Sequence, residues 1–287
     1  MFHYTNDRIH RAPNPAAFSG RVLVAAAIVG VITLACGSRE LHDPGTDAAA
    51  LPGSGEPIAA ATSTAATTSV DAMRLLSPLR SAAAFGILAG SGISCAISGT
   101  VIGASGPSNI GSSPTSTVTG FAPCTFSGSI PLPAVVARAK ADLSAAYLAA
   151  QGKECNSGVT GFDLGYYDGS TFAKTLPPGT YCFAESASLT GTLRLTGPAS
   201  ARWTFQIGTT LDADYGSNVI LGGGASADNV YWAVGSSATL MTNAAFQGNI
   251  LALGSITMQN GATLVGRALA QTGAVDLTAG AATITKP

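Results

Sequence analysis

From Val230 onward, apolar and small residues return with a period of 18 residues. Gly248 and Gly266 share a column, as do Phe246 and Leu264, Asn243 and Gly261, Thr239 and Thr257, and Ser237 and Ser255. Leu269 and Ala270 fall under Leu251 and Ala252. A short fixed period marks a solenoid, in which each repeat packs on its neighbours and each column becomes a straight row. At about 3.3 Å per residue, such a repeat divides naturally into three short strands around a triangle. Side chains alternate along a strand, which sends Ala238, Leu240, Phe246, Leu251, Ile256, Met258, Leu264, Leu269, Val275 and Leu277 inward. Upstream, Gly208 to Gly235 reads as a 27-residue coil, after which the spacing shortens to 19 and then 18. Phe85–Cys95 and the Gly-rich stretch to Cys124 read as short strands separated by turns, and strands resume from Phe162.

One segment carries a different period. Pro133–Gln151 contains no glycine, and Val136, Ala139, Leu143, Tyr147 and Ala150 recur at helical spacing on one face. Pro131 and Pro133 suit a first turn and Gly152 a last one. The pattern predicts one amphipathic helix lying against a β-rich body.

The first residues follow neither pattern. Arg8, Arg11 and Arg21 precede an apolar run, Val22–Ala35, of a length that suits a signal peptide and is short for a membrane span. It ends in Thr33-Leu34-Ala35-Cys36, which allows ordinary cleavage after Ala35 or lipidation of Cys36, giving an anchored chain. Residues 37–70 are rich in Gly, Pro, Ala, Ser and Thr without apolar periodicity, and read as a flexible tether. The expected organisation is therefore a signal peptide at 1–36, a linker at 37–70 and one domain at 71–287.

Composition narrows the chemistry. Charged residues make up 10% of the chain, against about 25% in an ordinary domain. A net charge of −1 gives no basic patch for nucleic acid. The three histidines, His3, His10 and His42, all precede the repeats, which removes the commonest general base and metal ligand from the domain. Without Cys36, an even set remains: Cys95, Cys124, Cys155 and Cys182. Four cysteines allow three pairings; the one closing two local loops is Cys95–Cys124 with Cys155–Cys182. No metal or cofactor is expected. Asp212, Asp214 and Asp228 are too sparse for a calcium loop. Asp163, Asp168 and Glu185 are the only carboxylates to consider for a polysaccharide-cleaving pair, and no catalysis is expected. Trp203 and Trp232 read as matching coil positions in packing roles.

Several longer segments carry a resemblance. They are Asp163-Leu-Gly with Thr175-Leu-Pro-Pro-Gly-Thr-Tyr-Cys-Phe183, Trp203–Leu211, Asn229–Leu240, Phe246–Thr257 and Gly261–Ala270. In this order and spacing they resemble the bacterial and fungal ice-binding protein domain, over Ser81–Thr285. The resemblance implies a right-handed triangular parallel β-solenoid, mainly β, with one long helix alongside. It also implies a discontinuous order in which N-terminal strands pack beside the C-terminal coil, and a flat face that contacts ice.

In the repeat register, Ser255 and Thr257 flank inward Ile256, Ser237 and Thr239 flank Ala238, Ala274 and Asp276 flank Val275, and Thr210 and Asp212 flank Leu211. These outward residues predict two parallel rows. The resemblance adds Thr272, with Gly254 and Gly235 where threonines would stand, and places Ser91 and Ser94 alongside. The expected partner is an ice crystal surface, met by a monomer that is secreted or held at the cell surface through a lipid on Cys36. The rival reading is a surface protein that adheres to glycans or another cell, with Ser and Thr serving as small solenoid surface residues.

Overall fold

A computed structural model of the chain describes residues 77–287, apart from 97, 105, 120, 121, 123, 159–162, 166–172 and 279. The signal-peptide, tether and Cys36 assignments, and Asp168, lie outside the described residues.

In chain order the strands are β1 (Phe85–Ala89), β2 (Gly92–Cys95), β3 (Gly99–Gly103), β4 (Asn109–Ser112), β5 (Val118–Thr119) and β6 (Thr125–Phe126). The helix α1 (Pro133–Gln151) follows, then β7 (Ser157–Gly158), β8 (Ala173–Leu176), β9 (Gly179–Phe183), β10 (Ala187–Leu189) and β11 (Thr192–Thr196). Next come β12 (Trp203–Ile207), β13 (Leu211–Ala213), β14 (Asn218–Gly222), β15 (Val230–Val234), β16 (Ala238–Leu240) and β17 (Ala245–Ala252). The chain closes with β18 (Ile256–Met258), β19 (Thr263–Ala270), β20 (Ala274–Leu277) and β21 (Ala282–Lys286).

All pairings are parallel, and the coils present three faces. β9, β12, β15 and the second halves of β17 and β19 lie under the helix, continued by β1 and β4. A seven-stranded sheet in the order β10-β13-β16-β18-β20-β2-β5 forms the second face. The third is made by β8, β11, β14, the first halves of β17 and β19, then β21, β3 and β6. Strands β17 and β19 turn the corner between two faces at Gly248 (φ +114°) and Gly266 (φ +153°). A Cβ at Gly266 would collide with the Gly248 carbonyl.

The helix explains the discontinuous order. The first strands, β1–β6, occupy one end of the stack and β7–β8 the other. Between them the chain must travel the length of the solenoid, and a 19-residue helix covers about 28 Å, close to six inter-strand steps of about 4.8 Å. The coils then climb back until β19, β20 and β21 meet β1, β2 and β3. The helix bounds match the expectation, and its buried side is Val136, Ala139, Leu143, Ala146, Tyr147 and Ala150.

The lumen is filled by apolar columns, including a run of aromatic rings. Tyr181 stacks on Phe205 (5.5 Å between centroids), Phe205 on Trp232 (3.9 Å), and Trp232 meets Phe246 (4.7 Å). Trp203 and Trp232 are not in matching positions: Trp203 pairs with Val230 and Phe205 with Trp232. Both are fully buried, their indole N–H groups donating to Leu176 O and Gln247 O. Eight of the ten residues expected inward do line the lumen, whereas Leu251 and Leu269 point outward against the helix with Tyr231, Ala233 and Leu88. This face is covered on both sides, so its strands carry apolar residues at every position and alternation loses its meaning.

Polar groups fasten the helix. Lys140 Nζ donates to Ala270 O and Gln271 O, and burial pulls its pKa down to about 8. Gln206 Nε2 donates to Ala150 O at the helix C-terminus (2.9 Å), and Gln151 Nε2 to Ala233 O (3.1 Å). Arg267 is buried; its guanidinium donates to Asp228 and Asn249 (2.7 Å each) and to Ala83 O, tying the N-terminal turn to the coils. The disulfides are Cys95–Cys124 and Cys155–Cys182, the pairing that closes local loops. Each joins strands or connections at one end of the stack, where a terminal coil has a neighbour on one side only. No helix among the described residues is long and apolar enough to cross a membrane.

Candidate functional site

The seven-stranded face is a broad sheet surface whose outward rows are mostly hydroxyl-bearing. Its strands are short and strictly alternating: Ala187, Leu211, Ala238, Ile256, Val275 and Ile93 are buried and paired in register, so the flanking residues face out. The row on the C-terminal side runs unbroken through Ser188, Asp212, Thr239, Thr257, Asp276, Ser94 and Thr119. Asp163 extends it by one bridge to Ser188. Neighbours along the row stand about 4.8 Å apart, and the parallel row lies about 7 Å away along the strands.

The N-terminal-side row is Ser186, Thr210, Ser237, Ser255, Ala274 and Gly92, each one residue before the inward position. Two of its hydroxyls have structural work. Ser237 Oγ accepts from the Ser255 N–H (3.0 Å), and Ser255 Oγ accepts from the Ala274 N–H (3.1 Å). They satisfy backbone donors that the turn would otherwise leave unpaired. The two carboxylates of the other row are also held: Asp212 accepts from the Thr210 hydroxyl (3.2 Å) and Asp276 from the Ser94 hydroxyl (2.6 Å). Thr239 and Thr257 sit between them, half-exposed, with no hydrogen bond from their hydroxyls to another described residue.

Two expected row members lie elsewhere. Ser91 precedes β2 at the corner, where its N–H donates to Gly273 O, and Gly92 takes the row position that pairs with Ala274. Thr272 is also at the corner, its hydroxyl donating to Leu253 O (2.6 Å). Ala252 pairs with Ala270 while Ile256 pairs with Val275, so this corner holds one residue more than the preceding one, and the 19-residue step falls here rather than a coil earlier. Gly235 and Gly254 stand at the equivalent corners. A Cβ at Gly235 would strike the Gly208 carbonyl, and one at Gly254 would press on Ser237 Oγ and the Ser236 backbone. No threonine fits at Gly235 without moving the coil above.

Ser186, Ser188 and Thr119 complete the rows without having been expected there. The first two had a signal: Ser186-Ala-Ser-Leu189 repeats the pattern of Ser237-Ala-Thr-Leu240. Thr119 had none, because only the discontinuous topology brings β5 to this sheet.

The carboxylates weighed for chemistry are dispersed. Asp163 accepts from the Gly165 and Thr190 N–H groups (2.9 Å each) and from the Thr190 hydroxyl. Asp228 is paired with Arg267, and Glu185 is exposed. Among the described residues, no three His, Cys, Asp or Glu side chains stand close enough together to hold a metal ion.

This architecture has counterparts. The family model described as Ice-binding-like matches residues 87–284. A protein of Nostoc sp. (strain HG1) named "Ice-binding protein" is 40% identical over 210 residues, covering 70% of this chain and 72% of the relative. "Ice-binding protein K1-A" of Typhula ishikariensis is 32% identical over 191 residues, covering 61% and 76%. Among solved structures, an ice-binding protein from the Antarctic ascomycete Antarctomyces psychrotrophicus superposes with a TM-score of 0.64 at 33% identity, covering 73% of this chain and 97% of that one.

Proposed function

The chain belongs to the Ice-binding-like family, and from that premise we propose that it binds ice through the seven-stranded face, with no catalytic step. The observation that carries this placement is the unbroken row from Ser188 to Thr119, held in register by parallel strands. Hydroxyls and methyls on a rigid sheet can hold water in an ordered layer at fixed spacing. Many weak contacts add only when they are positioned beforehand, because rigidity lowers the ordering cost of binding. Threonine suits this role, since its branched side chain has few χ1 choices.

Thr239 and Thr257 are the centre of the contact, with Ser94 and Thr210 beside it and Ser237, Ser255 and Ala274 supporting the row. Asp212 and Asp276 weaken the row on either side of this pair, because a charge keeps its own hydration shell and is costly to strip. Export through residues 1–36, with Cys36 as a lipid attachment point, would hold the domain outside the cell on the 37–70 tether.

The test is thermal hysteresis and ice shaping by the full-length chain beside Thr239→Tyr/Thr257→Tyr. The expected result is activity in the parent and a clear fall in a variant of unchanged melting temperature. Equal activity would remove the contact from this face. A folded parent that leaves ice unshaped would turn the reading to adhesion, which retention on polysaccharide would then measure.

A further inference from the structure

We infer that the third face is a second ice-contacting surface, so that the solenoid meets ice over two faces joined at an edge; this rests on the reading above. Thr263, Thr283, Thr100 and Thr125 are register partners on the consecutive strands β19, β21, β3 and β6. Four threonines therefore stand side by side over about 14 Å. On the seven-stranded face no more than two threonines, Thr239 and Thr257, are adjacent. A second outward row on the third face runs through Gln247, Val265 and Thr285.

Three properties separate this surface from an ordinary solvated sheet. None of the seven residues named is charged, and Arg194 enters the second row only two strands beyond Gln247, whereas exposed strands normally carry lysines or acids that discourage edge pairing and adhesion. The threonine hydroxyls are also uncommitted. Those of Thr263, Thr100, Thr125 and Thr285 make no hydrogen bond to another described residue, and Thr283 has only a long contact to Ala281 O (3.5 Å). Finally, the row is rigid, because Leu264, Ile284 and Val101 beneath it are fully buried.

The two faces share a corner. The turns after β16, β18 and β20 lead directly from one to the other, linked coil to coil by Asn243 N–H to Asn260 O and Gly261 N–H to Gly280 O. An ice surface reaching that edge can engage threonines on both sides of it, and the two faces can also dock on different crystal planes.

The experiment uses the dye-labelled full-length chain on a single-crystal ice hemisphere, recording the planes stained, with hysteresis measured in parallel. Thr263→Tyr/Thr283→Tyr should lose a subset of the planes and lower hysteresis, Thr239→Tyr/Thr257→Tyr should lose another subset, and the four-site variant should stain none. Thr263→Lys, at an exposed position, reads the same face if the double variant melts earlier than the parent. Unchanged planes and hysteresis in the folded third-face variants would overturn this inference and leave the seven-stranded face as the ice contact. A parent that stains no plane would overturn both.

Discussion

The helix face and the hydroxyl face are built on the same coils and close the same lumen, yet their outward residues differ in kind. Under the helix the outward positions are Tyr231, Ala233, Leu251 and Leu269, all buried against Leu143 and its neighbours. One strand further round each coil, they are Ser237 with Thr239, and Ser255 with Thr257. Alternation decides only that a side chain leaves the lumen; its chemistry decides whether it meets protein or water. The contrast also sorts hydroxyls within the bare face. Ser237 and Ser255 serve the fold by accepting backbone N–H bonds, while Thr239 and Thr257 have no such duty.

Three substitutions break or sharpen that comparison. Leu251→Ala empties a fully buried site under the helix and should cost about 2–5 kcal/mol in chemical denaturation, with the ice planes recognised by the remaining folded protein unchanged. Ser255→Ala leaves the Ala274 N–H without its acceptor and should cost about 1 kcal/mol with little change in hysteresis. A loss of hysteresis at full stability would instead make Ser255 a contact residue. Asp276→Thr removes the charge beside Thr257 in the row and should shift stability by less than about 0.5 kcal/mol while raising hysteresis. Unchanged hysteresis would mean that the charge, held by Ser94, does not obstruct the contact.

Much of this was written in the chain where one constraint acts on each residue. The helix was legible because Pro133–Gln151 has one buried side and one exposed side, and β16 and β18 because their strands are buried on one side only. The phase of Leu251 and Leu269 was not, because both sides of those strands are buried and the period vanishes. Thr272 was misplaced because a single inserted residue leaves the composition of a turn unchanged. The row of Thr263, Thr283, Thr100 and Thr125 escaped the repeat altogether, since half of it lies before the helix and half at the C-terminal end.

That same ordering bears on how the chain reaches its fold. Ser94 and Asp276 touch across 182 positions of chain, so the strands made first, paired with β4, β5 and β6 on one side, lack their second neighbour until those made last are complete. Repeat stacks usually fold by nucleating anywhere and growing outward, but here growth must also close a loop nearly as long as the domain. Such non-local closure slows folding. Coils β12 to β18 can zip together early, while β1, β2 and β3 wait with one edge open for β19, β20 and β21. A nascent chain that ends before Ala268 offers β1 no partner on that side, which makes the arrival of the final coil the step that commits the molecule.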